Sequence, residues 1–295
     1  MSARRKKLRE RLQRRGHSEG GGRARWAEPV EIPECPEGWS TGPPDFVGIG
    51  AQRSGTSWWY SMLEAHPQVS RVPNRAKELH YFSRFWEGDP PRDLGAQYGQ
   101  LFPRAPQTLV GEWTPRYMHD YWALPLLREA APDAQLLVML RDPVERYLSG
   151  LAFAQRRAEK AGAPLRLVQV SDALARGLYA EQLRHVFRFF PTEQVLVLQF
   201  ERCRDEPLDQ LAATCRFLGI EPPSELPEQA RKRRRSREKP TLSDAQRAEL
   251  VERLAADAIA LAQLCPEIDL AMWPSFSHLA GSTQTRDTGA AGSDR

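Results

Sequence analysis

Cysteine is scarce in this chain of 295 residues: four, at positions 35, 203, 215 and 265, with no Cys-x-x-Cys pair. That scatter argues against a disulfide framework and for single thiols in a reducing compartment. The six histidines form no His-x-x-x-His or His/Cys cluster, so no metal site is expected. No apolar run approaches the ~18 residues of a membrane span, and the basic start is not followed by the apolar segment of a secretory signal. Neither sign of charge dominates overall, the formal net being +4. It is unevenly placed: residues 1–25 hold ten Lys/Arg against two Glu, so +8 sits there and the rest of the chain sums to −4. A basic nucleic-acid-binding domain is therefore not indicated, and no specific nucleic-acid partner is expected.

What is present centres on residues 45–65. Phe46 to Ile49 is an apolar run entered from the turn signal Pro43-Pro44-Asp45, and it reads as a short buried strand. From Thr56 the apolar residues Trp59, Met62 and Leu63 fall at helical spacing. Between strand and helix lies a small-residue loop, Gly50-Ala51-Gln52-Arg53-Ser54-Gly55. A strand, a glycine-bearing loop and a helix start form an anion cradle, because the first helical N–H groups point outward and the dipole adds positive charge. The spacing Gly50-x-x-x-x-Gly55-Thr56-Ser57 is that of a Walker A loop, but Thr56 stands where that loop needs Lys. This argues against an ordinary ATPase or kinase. Arg53 is the cation within the loop.

Gln52-Arg53-Ser54-Gly55-Thr56-Ser57-Trp58 resembles the 5′-phosphosulfate loop of the sulfotransferases that use 3′-phosphoadenosine 5′-phosphosulfate (PAPS). Residues 136–150 resemble the same family's 3′-phosphate motif, a strand ending in Arg-(Asp/Asn)-Pro with a Ser eight residues after the Arg: here Arg141-Asp142-Pro143 and Ser149. Lys77-Glu78-Leu79-His80-Tyr81-Phe82 is similar to the Glu-x-His-(Phe/Tyr)-Phe stretch of glycan-type members, in which the Glu is the catalytic base; small-molecule members use a His instead. In an extended segment Glu78 and His80 share a face, so both are candidates, with His80 as base or as the group that orients Glu78 or the acceptor. Gly177 to Leu183 resembles the family's Gly-x-Tyr-x-x-Gln-Leu segment, with Tyr179 either near the nucleotide or in the core. The resemblance runs in looser form from about residue 45 to residue 276.

The resemblance implies transfer of a sulfuryl group from PAPS to a hydroxyl or amine of a small-molecule or glycan acceptor, leaving 3′-phosphoadenosine 5′-phosphate (PAP), without a metal. Ser54, Gly55, Thr56 and Ser57 would hold the 5′-phosphosulfate, and Arg53 would stabilise charge on the bridging oxygen. Arg141 and Ser149 would take the 3′-phosphate, Trp58 would lie near the adenine or in the core, and Glu78 would accept the acceptor's proton. In the family a basic segment folds over the 3′-phosphate; residues 231–239, with seven cations and one Glu, are the counterpart, or else a solvated charged loop. There is one departure. Where glycan members read Glu-Lys-(Ser/Thr)-Pro, with the Lys near the transferred sulfate, this chain reads Glu112-Trp113-Thr114-Pro115. Trp113 would stack on a sugar or aromatic acceptor, and Arg53 is left as the cation for the transferring group.

The alternation of elements predicts an α/β fold: three layers, P-loop-like, a central mostly parallel sheet with helices on both faces. Strands are expected near 46–50, 109–112, 134–140 and 195–200, with a short one at 69–72. Helices are expected over 116–131, 170–190 and 208–218, and from the capping box Ser243-Asp244-Ala245-Gln246. Residues 151–169 read as loop and Arg146 as a surface charge. By domain, 1–25 is a disordered basic tail, 26–44 a Pro/Gly-rich lead-in, 45–278 the sulfotransferase domain and 279–295 a disordered tail. Many animal glycan sulfotransferases carry an N-terminal Golgi anchor; its absence here predicts a cytoplasmic, bacterial setting. The competing readings are a P-loop kinase or NTPase, a non-catalytic nucleotide-binding protein of the same fold, and a nucleic-acid binder acting through the basic tail and residues 231–239.

Overall fold

The computed structural model describes residues 30–72, 77–232 and 239–283. The expected basic tail over 1–25 and most of the basic run 231–239 lie outside them. Among the described residues six strands occur: β1 (Ser40–Thr41), β2 (Phe46–Gly50), β3 (Pro103–Arg104), β4 (Gly111–Trp113), β5 (Gln135–Leu140) and β6 (Val195–Gln199). The central sheet has the order β4-β2-β5-β6, with every pair parallel, while β1 and β3 form a small antiparallel pair beside it. The helices are α1 (Thr56–Leu63), α2 (Leu94–Gly99), α3 (Ala123–Ala130), α4 (Pro143–Lys160), α5 (Leu167–Ala175), α6 (Tyr179–Val186), α7 (Phe200–Asp205), α8 (Pro207–Phe217) and α9 (Asp244–Leu264).

Strand β5 shows why the sheet is covered on both sides. Leu136, Val138 and Leu140 pack into one apolar cluster, with Leu127 of α3, Leu183 of α6 and Leu254 of α9. Leu137 and Met139, on the other face, join Trp59 and Leu63 of α1 and Leu211 of α8. The period of two in the strand thus divides a continuous apolar run between two cores, as a parallel sheet requires. The three-layer α/β expectation holds. Both candidate anion motifs leave the sheet at the carboxyl ends of adjacent strands, β2 and β5, where parallel sheets place their ligands.

Several local expectations need correction. Residues 151–160 are helical, because Asp142 caps α4 by accepting from the N–H groups of Val144 and Glu145, at 2.9 and 3.1 Å, with Pro143 at the first helical position. Nothing then breaks the helix before Gly162, and its polar run is rich in good helix formers. The expected helix over 170–190 is two, α5 and α6, separated by a turn at Gly177. The helix expected from 116 begins only at Ala123, after a succession of turns. Val69 forms one isolated bridge to Leu109 rather than a strand.

Arg146 is not a surface charge. It is fully buried where α4 meets α5, and its Nη2 donates to the carbonyl of Ala173. Burial pushes its pKa down to about 10. The capping box is present as read: Ser243 Oγ accepts from Gln246 N at 3.3 Å and the Gln246 side chain accepts from Ser243 N at 3.0 Å. All four thiols are free, Cys35 exposed and the other three buried. Among the described residues no helix is long and apolar enough to cross a membrane.

Candidate active site

The loop between β2 and α1 is shaped by close approach. Gly55 has φ 93°, and a Cβ there would lie 2.6 Å from the ring of Phe200. Ser54 and Thr56 are buried at the helix start, while Ser57 is exposed. No side chain caps α1 and no acidic residue lies in its first turn, so the positive end of its dipole faces outward. Arg53 adopts φ 73°, a strained value for a residue with a side chain. Its Nε donates to Ser149 Oγ at 3.2 Å, and its guanidinium sits 5.0 Å from the ring centre of Phe153. Residues 96 positions apart, proposed for opposite ends of one nucleotide, thus meet.

Arg141 leaves the end of β5 with its guanidinium 5.1 Å from the ring centre of Phe200. Its Nη2 is 3.7 Å from Glu145 Oε2. Glu145 also takes Arg247 Nη2 at 2.9 Å and pairs with Lys239, from the end of the basic run. Burial pushes the Glu145 carboxyl up, but the Lys239 ammonium and the two guanidinium groups hold it below its usual value. The Nε of Arg141 is buried and has no hydrogen-bond partner. Trp58 donates from Nε1 to the carbonyl of Ala230 at 3.1 Å and stands edge-on to Phe200, 6.4 Å between centres. Phe200, which the sequence reading passed over, touches Gly55, Trp58 and Arg141 together. Tyr179 is buried and donates to the carbonyl of Arg141 at 2.9 Å.

On the other flank, Glu78 and His80 do face one another, Oε2 to Nε2 at 3.4 Å. Burial pushes the Glu78 carboxyl up, yet His80 and then Lys77 outweigh it, and the group ends below its usual value. His80, like Arg53, has a positive φ, 51°. The segment is held in this shape by successive N–H groups. Leu79 N donates to Glu112 Oε2 at 3.4 Å, His80 N to Thr114 Oγ1 at 3.3 Å, and Tyr81 N to Tyr117 Oη at 2.8 Å. Glu112 itself is fully buried and accepts from Tyr98 Oη at 2.7 Å, Tyr117 Oη at 3.1 Å and Thr114 Oγ1 at 2.5 Å.

Two site neighbours escaped the sequence reading. In the sequence Glu112 stands at a strand end and in the Glu-Trp-Thr-Pro segment with no role of its own, and Lys77 is only the residue before Glu78. Lys77 Nζ donates to Thr56 Oγ1 at 3.1 Å and lies 3.4 Å from Glu78 Oε1. The expectation for Trp113 is overturned. Its side chain is fully buried, packs over Gly48 and donates from Nε1 to the carbonyl of Gly50 at 3.1 Å. A Cβ at Gly48 would fall 2.0 Å from its ring, so the missing side chain on β2 makes room for the indole on β4, its register partner. Trp113 supports the loop from beneath and offers no face to an acceptor.

A family model described as "Sulfotransferase domain" matches residues 43–249. The chain belongs to the sulfotransferase family. The sulfotransferase match takes in the anion loop, Glu78, Arg141 and Ser149, and it ends just beyond Arg247. Among curated relatives, human heparan sulfate glucosamine 3-O-sulfotransferase 6 is 31% identical over 192 residues, 60% of this chain and 52% of that protein. Human heparan sulfate glucosamine 3-O-sulfotransferase 3B1 is 31% identical over 194 residues, 60% of this chain and 46% of that protein. The chain thus spans about half the length of the curated relatives it matches. A solved sulfotransferase from Alicyclobacillus acidocaldarius superposes with a TM-score of 0.59 at 24% identity, over 78% of this chain and 98% of that one, and shares the fold.

Proposed function

We propose that this protein transfers the sulfuryl group of PAPS to a hydroxyl of a glycan, releasing PAP. The observation that carries the reading is the Arg53–Ser149 hydrogen bond, which joins the anion loop after β2 to the Arg-Asp-Pro helix after β5. Two phosphate-binding motifs in contact suit one nucleotide with anionic groups at both its 5′ and 3′ positions. The residues fit such a donor. Ser54, Gly55, Thr56 and Ser57 present the α1 N-terminus to the 5′-phosphosulfate. Arg53 stabilises charge on the leaving oxygen. Arg141, whose Nε has no partner, and Ser149 bind the 3′-phosphate, and Trp58 with Phe200 flanks the adenine. Sulfuryl transfer, like phosphoryl transfer, asks the protein to align nucleophile and leaving group and to stabilise charge on non-bridging oxygens. Glu78 takes the proton of the acceptor, and His80 orients it.

The names of the curated relatives favour a glucosaminyl glycan as acceptor. The exposed thiol of Cys35 favours a reducing, cytoplasmic setting, which fractionation of the producing cells would test. Residues 45–278 are the proposed catalytic unit.

The test is transfer of radiolabelled sulfate from PAPS to a panel holding heparosan oligosaccharides, phenols, aliphatic alcohols and amines. Label on the oligosaccharide with equimolar PAP release is expected. Hydrolysis of ATP without affinity for PAP would replace this reading with a P-loop NTPase. Tight PAP binding with no transfer to any acceptor would replace it with a nucleotide-binding protein without turnover.

A further inference from the structure

We propose that Lys77 is a catalytic residue: its ammonium binds the non-bridging oxygens of the sulfuryl group during transfer, supplying the cation that Trp113 does not. The inference rests on the functional reading above. Its geometric basis is the position of one atom. In-line transfer places the sulfur between two oxygens, one leaving with the 5′-phosphate and one arriving from the acceptor. The first is bound at the start of α1, where Thr56 presents its hydroxyl; the second loses its proton to Glu78. Lys77 Nζ contacts the groups assigned to both ends, 3.1 Å from Thr56 Oγ1 and 3.4 Å from Glu78 Oε1. A cation there faces the group in flight. Arg53, which donates to Ser149 and sits beside Phe153, serves the leaving oxygen rather than the non-bridging ones.

The backbone supports the placement. The carbonyl of Lys77 accepts from Trp113 N at 3.4 Å, so the segment is tied to the end of β4. The Trp113 indole is turned beneath the loop, and its place in the family pattern contributes no charge to the cleft. The Lys77 side chain is about four-fifths buried, with 19% of its surface exposed, and burial lowers its pKa against the pull of Glu78. A partly desolvated ammonium next to one hydroxyl and one carboxylate interacts strongly with an arriving anion. In the step itself the acceptor oxygen–sulfur bond forms as the bridging sulfur–oxygen bond breaks. The acceptor proton passes to Glu78, the bridging electron pair leaves on PAP, and Lys77 keeps its proton throughout.

PAP and PAPS differ by the sulfuryl group, so the ratio of their affinities reads this contact without any acceptor. Both would be titrated calorimetrically into wild type, Lys77→Met and Lys77→Arg. The methionine variant is expected to bind PAP like wild type and to lose about tenfold in PAPS affinity. Its transfer rate to any accepted acceptor should fall by about 10²–10³-fold. Lys77→Arg should keep most of the PAPS preference. If Lys77→Met does not fold, Lys77→Gln, which retains a donor to Thr56 without the charge, takes its place and should show the same selective loss. Equal loss of PAP and PAPS affinity would mark a structural role, and an unchanged ratio with unchanged transfer would equally overturn the assignment. A wild-type protein that binds neither ligand would overturn the functional reading and this inference with it.

Discussion

The two flanks of the candidate site are held by different means. On the proposed nucleotide flank the groups that matter are backbone N–H groups and side chains within a few residues of a helix start, and each motif is continuous in the chain. Asp142 caps α4 from the residue before it, and Arg141 and Ser149 follow from where that helix begins. On the proposed acceptor flank the residues 77–81 belong to no regular element and are pinned from residues 112–117, more than thirty positions away. The carboxylate of Glu112 gathers two tyrosines, a threonine and a backbone N–H. A helix start carries its own anion site, whereas a pinned loop depends on a buried polar network. The first should therefore tolerate change around it, and the second should fail as a unit.

The largest expected effect separates the flanks outright. Glu78→Gln should lower turnover by about 10²–10⁴-fold while PAP binding, read by calorimetry, stays as in wild type. Loss of PAP binding would mean that the flanks are not separate. Next comes the support beneath both. Trp113→Ala leaves a cavity against Gly48 and should destabilise by about 3–5 kcal/mol, lowering the melting temperature by about 10 °C. A small shift would contradict the buried placement of the indole.

Glu112→Gln keeps the shape but mismatches donors and should cost about 1–3 kcal/mol. Its effect on turnover should exceed its effect on PAP affinity, since only the acceptor flank hangs on it. Equal losses would break the distinction. The smallest effect concerns pH. The folded Glu78 carboxyl lies below its usual value, so its contribution is present above the unfolded pKa and is lost as pH falls through the lower folded one. His80→Ala removes the chief group holding it down. The acidic limb of the rate profile should then move to higher pH, and an unmoved limb would detach His80 from Glu78.

The same contrast decides what could be read before the structure. The Ser243–Gln246 capping box, the anion loop and the Arg-Asp-Pro motif are local chemistry, and each lies where the sequence put it. The parallel sheet follows from apolar runs alternating with helical periods. Arg146, Trp113 and Lys77 are different cases. A buried arginine has the same letter as a solvated one until α5 closes over it. Trp113 needed Gly48, sixty-five positions earlier, to explain where its ring goes. Lys77 gains a proposed role only from the fold, which brings both Thr56 and Glu78 within reach of its ammonium.

The central claim is that the loop after β2 and the Arg-Asp-Pro motif form one site for a nucleotide phosphorylated at its 3′ position. Isothermal titration of PAP, ATP and AMP into wild type and Arg141→Ala tests it most directly. The account predicts tight binding of PAP alone, lost in Arg141→Ala, because the arginine with the unpartnered Nε reads the 3′-phosphate. Preference for ATP, or PAP binding that survives the substitution, would contradict it.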